Sequence, residues 1–168
     1  MTRAPRACQA EPWHAAPESA IALSGESQEV ALAEAQVVLA MARDDEYRGR
    51  LAGLVAAVGE GEVDGEDAEA LSELLELGLQ SGRLRALYGP GGEQAALKTY
   101  RRLPRGAALA ESAREVSEAL ATLRGKTIES IALQAVGPGS FSVSVAADGI
   151  ELSLRLDRQG ARLASVGI

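Results

Sequence analysis

Apolar residues recur every three or four positions through most of the first 123 residues, the spacing of one face of an α-helix. The pattern predicts a first helical stretch from about residue 26, either one long helix or two in line, interrupted by the charged run at 43–46. A second helix follows the acidic linker at 59–67 and ends at Gly82, and a short third helix covers 93–103. The clearest helical pattern begins after Pro104, with apolar positions at Leu109, Ala113, Val116, Leu120 and Leu123.

After Lys126 the apolar residues alternate with polar ones, the period of a half-buried β-strand. Turn signals at 137–139, at Asp148-Gly149 and at Gln159-Gly160 divide this region into four strands. Short turns between successive strands predict a four-stranded antiparallel meander with one apolar and one polar face. The apolar face carries Ile131, Leu133, Ala135, Phe141, Val143, Val145, Leu152, Leu154 and Leu156.

The order of helices followed by strands predicts an α+β fold, in which a bundle of about four helices packs on the apolar face of the meander. Residues 1–25, rich in Ala and Pro and without periodicity, are expected to form a disordered tail. Residues 26–168 are expected to form a single domain, helical over 26–125 and sheet over 126–168.

The composition excludes several kinds of catalytic and metal site. The chain has one histidine, His14, and one cysteine, Cys8, both in the expected tail. A packed Ser-His-Asp or Cys-His catalytic site and a zinc site of several Cys or His ligands are therefore excluded. These absences favour a protein that is not an enzyme, with no catalytic residue, no metal site and no cofactor.

The composition also indicates the cellular compartment. A single cysteine suits a reducing compartment, and no apolar run approaches the roughly 18 residues of a membrane span. The N-terminus lacks the apolar stretch of a secretory signal. We therefore expect a cytoplasmic protein without membrane contact.

Two short motifs imitate binding loops. Glu60, Glu62 and Asp64 alternate before Gly65 as in the opening of a calcium-binding EF-hand, but the twelfth position is Leu71, where a bidentate Glu is required. The Gly-Pro-Gly-Gly run at 89–92 has the glycines of a phosphate-binding loop, yet no predicted strand precedes it and no Gly-Lys-Ser/Thr ending follows. We interpret the first as a linker and the second as a helix breaker.

Charge is segregated along the chain. Residues 26–82 hold three basic and fourteen acidic side chains, whereas residues 83–126 hold nine basic and four acidic ones. Such asymmetry suggests contact with a charged partner. The residues that we assign to a basic patch are Arg83, Arg85, Lys98, Tyr100, Arg101, Arg102 and Arg105.

The patch has two interpretations: these arginines dock an acidic partner, or they neutralise the acidic segment of the same fold or of another copy. The net charge of −7 and an aromatic content of 3% argue against nucleic acid as the partner. The sequence favours a non-enzymatic protein-interaction module, such as an adaptor, assembly factor or regulatory subunit, that binds a protein partner or itself. The alternative is a small-molecule-binding or enzymatic domain with a pocket between the sheet and the helices.

Overall fold

The computed structural model describes residues 20–167, which form five helices and six strands. In chain order the elements are β1 (Ile21–Ala22), α1 (Glu26–Met41), α2 (Asp45–Glu60), β2 (Glu62–Val63), α3 (Gly65–Gln80), α4 (Arg83–Tyr100), α5 (Pro104–Ala121), β3 (Ile128–Gly137), β4 (Ser140–Ala147), β5 (Ile150–Asp157) and β6 (Gly160–Gly167). The predicted α+β class is confirmed, with four helices in the N-terminal part and a fifth before the sheet.

The charged run at 43–46 separates two helices. Ala42 takes an extended conformation that ends α1, and Asp44 caps α2 by accepting a hydrogen bond of 2.8 Å from the Tyr47 amide. A side-chain oxygen at this position satisfies one of the amides that a helix leaves unpaired at its start. The interruption in the apolar pattern is therefore a genuine helix boundary.

The Gly-Pro-Gly-Gly run bends a helix. Gly89 has a φ of 67° and a ψ of −174°, and Pro90 follows it, so the helical path breaks within α4. The chain then resumes helical geometry up to Tyr100, which makes α4 longer than the predicted third helix. A left-handed φ followed by proline explains the kink, since neither fits a helix interior.

The predicted tail lies only partly within the described residues. Residues 1–19 are outside them, whereas Ile21 and Ala22 pair with Val63 and Glu62 as a two-stranded antiparallel sheet. The Leu23 amide also donates to the Gly61 carbonyl at 2.7 Å, and the Leu23 side chain is buried. From residue 20 onwards the structure thus differs from the expected tail, because this segment pairs with the linker between α2 and α3.

Buried apolar side chains form two clusters. The first, the helical core, lies among α1 to α4, and its largest fully buried members are Leu54, Leu71, Leu75, Leu84 and Leu103. The second lies between α5 and the four-stranded sheet and contains Val116, Ala119, Val145, Leu152 and Leu154. α5 also packs against α3, so it links the helical core to the sheet.

The sheet has the predicted meander order β3-β4-β5-β6, with every neighbour antiparallel. The register places Leu133 opposite Val143, and Val143 opposite Leu154, so apolar residues share one face as expected. Asp148 and Gly149, with φ values of 43° and 78°, turn β4 into β5. The predicted packing of this sheet on helices is confirmed, and α5 is the helix that makes most of the contact.

Candidate protein-interaction surfaces

The seven residues of the predicted basic patch lie near the two ends of α4. The first group is Arg83 and Arg85, and the second is Lys98, Tyr100, Arg101, Arg102 and Arg105. The kink at Gly89 lies between the two groups, and Arg83 pairs with Glu34 of α1 whereas Arg105 pairs with Glu69 of α3. The structure therefore does not bring all seven side chains together.

Three of these arginines pair with acidic residues of the protein itself. Arg85 lies 3.3 Å from the Glu93 carboxylate. Arg105, just inside α5, lies 2.6 Å from Glu69, 3.5 Å from Glu73 and 3.3 Å from Glu76. These carboxylates hold the pKa of the Arg105 guanidinium above its ordinary value, and the hydrogen bond that Arg105 donates to Glu69 is the largest cause. One arginine thus partly neutralises three α3 carboxylates.

The third pair is buried. The Glu34 side chain, in α1, is 0% exposed and forms an ion pair with Arg83. The Tyr88 hydroxyl donates a longer hydrogen bond of 3.4 Å to the same carboxylate. Burial and the nearby Glu34 charge raise the pKa of the Tyr88 hydroxyl. Glycine at position 78 leaves room for this network, since a Cβ there would lie 3.2 Å from Glu34 Oε1.

The remaining patch residues differ in exposure. Lys98, Arg101 and Arg102 are exposed, and none of them forms an ion pair with a residue in the 20–167 range. Tyr100 is only 8% exposed. Its hydroxyl pKa is raised, mainly by burial and then by the neighbouring Glu76. Three cations at the end of α4 therefore remain open to solvent, whereas the tyrosine belongs to the core.

A concave surface lies between α2 and α3, and we call it the acidic groove. Its volume is about 650 Å³. Its lining residues are Val38, Tyr47, Arg50, Leu51, Gly53, Glu66, Asp67, Glu69, Ala70, Glu73, Leu74, Leu77 and Arg83. Leu51 and Leu74 are buried beneath it, whereas Tyr47 is 42% and Leu77 58% exposed. The groove thus offers both buried apolar surface and two large apolar side chains open to a partner.

Carboxylates dominate the polar part of the acidic groove. Glu69 and Glu73 share Arg105, whereas Glu66 and Asp67 form no ion pair with another described residue. Burial raises the pKa of the Asp67 carboxyl, and the nearby charges of Asp64 and Glu66 add to the effect. A carboxyl in such surroundings is stabilised in its charged form when a cation approaches.

The cations of the acidic groove are already engaged. Arg83 pairs with Glu34, and the Arg50 guanidinium lies 5.7 Å from the centre of the Tyr47 ring. Neither of them forms an ion pair with Glu66 or Asp67. The groove is therefore an apolar channel with unmatched negative charge along its α3 side.

A second, smaller groove of about 400 Å³ lies where α5 meets the turn between β5 and β6. Its polar lining includes Glu76, Arg105, Gln159 and Arg162. Both arginines are paired, Arg105 with the α3 carboxylates and Arg162 with Asp157 at 2.6 Å. Neither arginine of this junction groove is therefore free to bind an anionic ligand.

The described residues hold no group of three or more His, Cys, Asp or Glu side chains arranged to bind a metal ion. In the same range, no helix combines the length and the apolar character that crossing a bilayer requires. A comparison of the chain with models of protein families, with curated proteins and with solved structures finds no match.

Sequence reasoning identified the acidic segment but not the acidic groove. Glu66, Glu69, Glu73 and Glu76 are spaced by three, four and three residues, which places them along one side of α3. That spacing signals a line of carboxylates. The facing apolar surface comes from α1 and α2, and only the packing of the helices shows that the two surfaces meet.

Proposed function

We propose that the protein is a non-enzymatic interaction module whose charge-segregated helical region binds a partner protein through the acidic groove. The occupant is an amphipathic helix of the partner with lysine or arginine on its polar side. The observation that supports this most directly is the combination, in one groove, of exposed Tyr47 and Leu77 with the unmatched carboxylates Glu66 and Asp67.

Shape supports a helical occupant. Amphipathic helices bind proteins by placing their apolar side into a groove lined by apolar residues. The groove of about 650 Å³ follows two helices, and Tyr47 and Leu77 can contact an inserted apolar side chain. Gly53 and Ala70 are small, so they let a partner backbone approach closely.

Charge supports a basic occupant. The groove lies within the segment 26–82, whose net charge is −11, so a cationic segment is attracted over a distance before contact. At contact, Glu66 and Asp67 supply carboxylates that form no ion pair with another described residue. An acidic or uncharged helix would gain the apolar contact alone and would approach more slowly.

The test measures binding of a defined peptide. We expect a fluorescent amphipathic peptide of about five helical turns, with leucine on one side and lysine on the other, to bind the full chain. Affinity should fall as ionic strength rises from about 0.02 to 0.3 M, because surface charges become screened. Glu66→Lys should weaken binding about tenfold, since it reverses an unpaired groove charge. Leu77→Ala should weaken it as well, because it removes an exposed apolar contact without changing the charge of the groove.

The matched control is Glu115→Lys, the same change at an exposed position of α5 outside the acidic groove. It should leave the affinity within about twofold of the original, as expected for a remote charge. Equal effects of Glu66→Lys and Glu115→Lys would mean that the peptide senses only net charge, and the groove assignment would fail. A permuted peptide of the same composition should bind weakly, because its apolar residues no longer share one side.

The alternative function, a small-molecule site between the sheet and the helices, has less support. The junction groove lies where this hypothesis expects a pocket, but its two arginines already have partners. Pockets for small ligands usually combine an apolar lining with a few polar groups that converge on the ligand. The polar groups of the junction groove instead bind one another.

A further inference from the structure

We infer that two copies of this chain associate through β3, whose free edge pairs with the same edge of the second copy to make one eight-stranded sheet. The inference is independent of the acidic groove. The two edge strands of the sheet, β3 and β6, differ in how they pack against the rest of the protein.

One edge strand packs on a helix and the other does not. β6 packs along α5, and the Ser112 hydroxyl donates to the Ala161 carbonyl at 2.7 Å. On the opposite side, β4 is the only element of the described chain that packs along β3. The outward amides and carbonyls of β3 can therefore accept another strand.

The central part of β3, residues 130–135, lacks the features that usually prevent edge pairing. Proteins protect an edge with charged side chains, proline, bulges or a short strand. β3 has ten residues, and its register is regular between the irregularities at Ile128/Ser130 and Ala135/Gly137. Residues 130–135 (Ser-Ile-Ala-Leu-Gln-Ala) include no charged residue and no proline.

The apolar face is also open at this edge. α5 covers Leu152 and Leu154 on β5, but Ile131 and Leu133 on β3 are 64% and 65% exposed. Phe141, opposite Ala135, is 40% exposed. Contiguous apolar surface of this kind marks an interaction site. An unpaired edge and an uncovered face therefore coincide on one strand.

The pattern of β3 fits a copy of itself. With a two-fold axis at Ala132, Ile131 lies opposite Leu133 of the second copy, and Ser130 lies opposite Gln134 of the second copy. Apolar residues then continue the apolar face and polar residues continue the polar face, as cross-strand pairing requires. Glu129 lies opposite Ala135 of the second copy, so the pairing opposes no like charges.

The distribution of charge also favours a second copy at this edge. Residues 127–168 carry three basic and four acidic side chains, so the sheet region is almost neutral. β3 is the strand farthest from α5 in the order β3-β4-β5-β6, and α5 separates the sheet from the segment with a net charge of −11. Two copies that meet at β3 keep their strongly acidic regions apart and so reduce repulsion.

The first experiment measures the mass of the full chain by sedimentation equilibrium over a range of concentrations. We expect a monomer–dimer equilibrium that Leu133→Lys weakens about a hundredfold, because a symmetric interface contains the new charge twice. Leu133 is largely exposed, so the variant should keep its circular dichroism spectrum. Leu87→Lys is the control: that leucine is 57% exposed on α4, and its replacement should leave the equilibrium unchanged.

A second experiment tests the register in a Cys8→Ser background. Paired Cα atoms across an antiparallel ladder are about 4.5 to 5.5 Å apart, which a disulfide can span. Ala132→Cys should therefore give a disulfide-linked dimer on mild oxidation, whereas Ser165→Cys, exposed on β6, should not.

A chain that stays monomeric at all concentrations would overturn the inference. So would a dimer that Leu133→Lys leaves intact. A dimer that Leu133→Lys dissociates but that Ala132→Cys does not cross-link would overturn the edge pairing, because it would indicate stacking of the two apolar faces instead.

Discussion

The buried ion pair between Glu34 and Arg83 gives the sharpest test of the structure. The Glu34 side chain is 0% exposed, and its carboxylate accepts hydrogen bonds from Arg83 and from the Tyr88 hydroxyl. Arg83→Met keeps an unbranched apolar chain but removes the positive charge. The variant therefore leaves a buried carboxylate with only the longer 3.4 Å hydrogen bond from Tyr88.

The expected loss is large relative to the stability of a domain. Removing one partner of a buried ion pair lowers the free energy of unfolding by about 3 to 5 kcal/mol. The Arg83 side chain is 35% exposed, so water partly solvates the pair, and we expect the lower end, about 3 kcal/mol. The total stability of a domain is about 5 to 15 kcal/mol, so the effect should be easily measured.

Arg85→Met is the matched control. Arg85 lies two residues away in the same helix, and its pair with Glu93 is exposed, with side-chain exposures of 66% and 24%. An exposed ion pair contributes about 0 to 1 kcal/mol. The two variants make the same chemical change, so their difference isolates the burial of Glu34.

Urea denaturation followed by circular dichroism provides the assay. With a slope of about 2 kcal/mol per M, a loss of 3 kcal/mol lowers the midpoint by roughly 1.5 M. Combining Arg83→Met with Glu34→Leu should restore most of the stability, because no charge is then left buried. If Arg83→Met lowered stability no more than Arg85→Met, the buried pair would be refuted. If the double variant recovered nothing, the loss would come from side-chain packing and not from charge.

Three further predictions concern single positions. The raised pKa of Asp67 means that its contribution to stability is fully present below the ordinary Asp pKa and is lost as pH rises through the raised value. Asp67→Asn should therefore gain stability relative to the original chain between about pH 3 and pH 7, as urea midpoints at the two values will show. Gly106→Ala should destabilise by about 1 to 3 kcal/mol, because its Cβ would lie 2.6 Å from the Tyr100 carbonyl carbon and 2.9 Å from Arg101 Cα. Gly53→Ala, where a Cβ meets nothing within 4 Å, should stabilise by about 0.5 to 1 kcal/mol, and thermal melts will compare the two.

Local patterns account for the parts of the fold that were predicted correctly. The change from a period of 3.6 to a period of 2 after Lys126 marks the boundary between helices and strands. Asp148-Gly149 places the turn between β4 and β5, since both residues accept a positive φ. These features depend on neighbours in the chain, so a single sequence contains the information.

The features that the sequence did not predict depend on contacts between residues that are far apart in the chain. Arg83 and Glu34 are 49 positions apart, and Arg105 meets Glu69 across 36 positions. One signal for the buried pair was available: Glu34 lies on the apolar side of α1 with Val30 and Val38, where a charge requires a partner. The sequence does not show which of several arginines is the partner of Glu34. The docking role of the basic patch remains a prediction.

The ion pairs explain why the charge segregation along the sequence leaves unmatched charge in one region. Arg105 pairs with Glu69, Glu73 and Glu76 of α3, whereas Glu66 and Asp67, in the first turn of the same helix, form no ion pair with another described residue. The neutral edge of β3 lies beyond α5 and beyond the rest of the sheet. The proposed self-association through β3 and the proposed partner binding in the acidic groove would therefore use separate surfaces. A dimer would present two grooves, and a partner with two basic helices would bind it more tightly than the monomer, because the second contact becomes intramolecular.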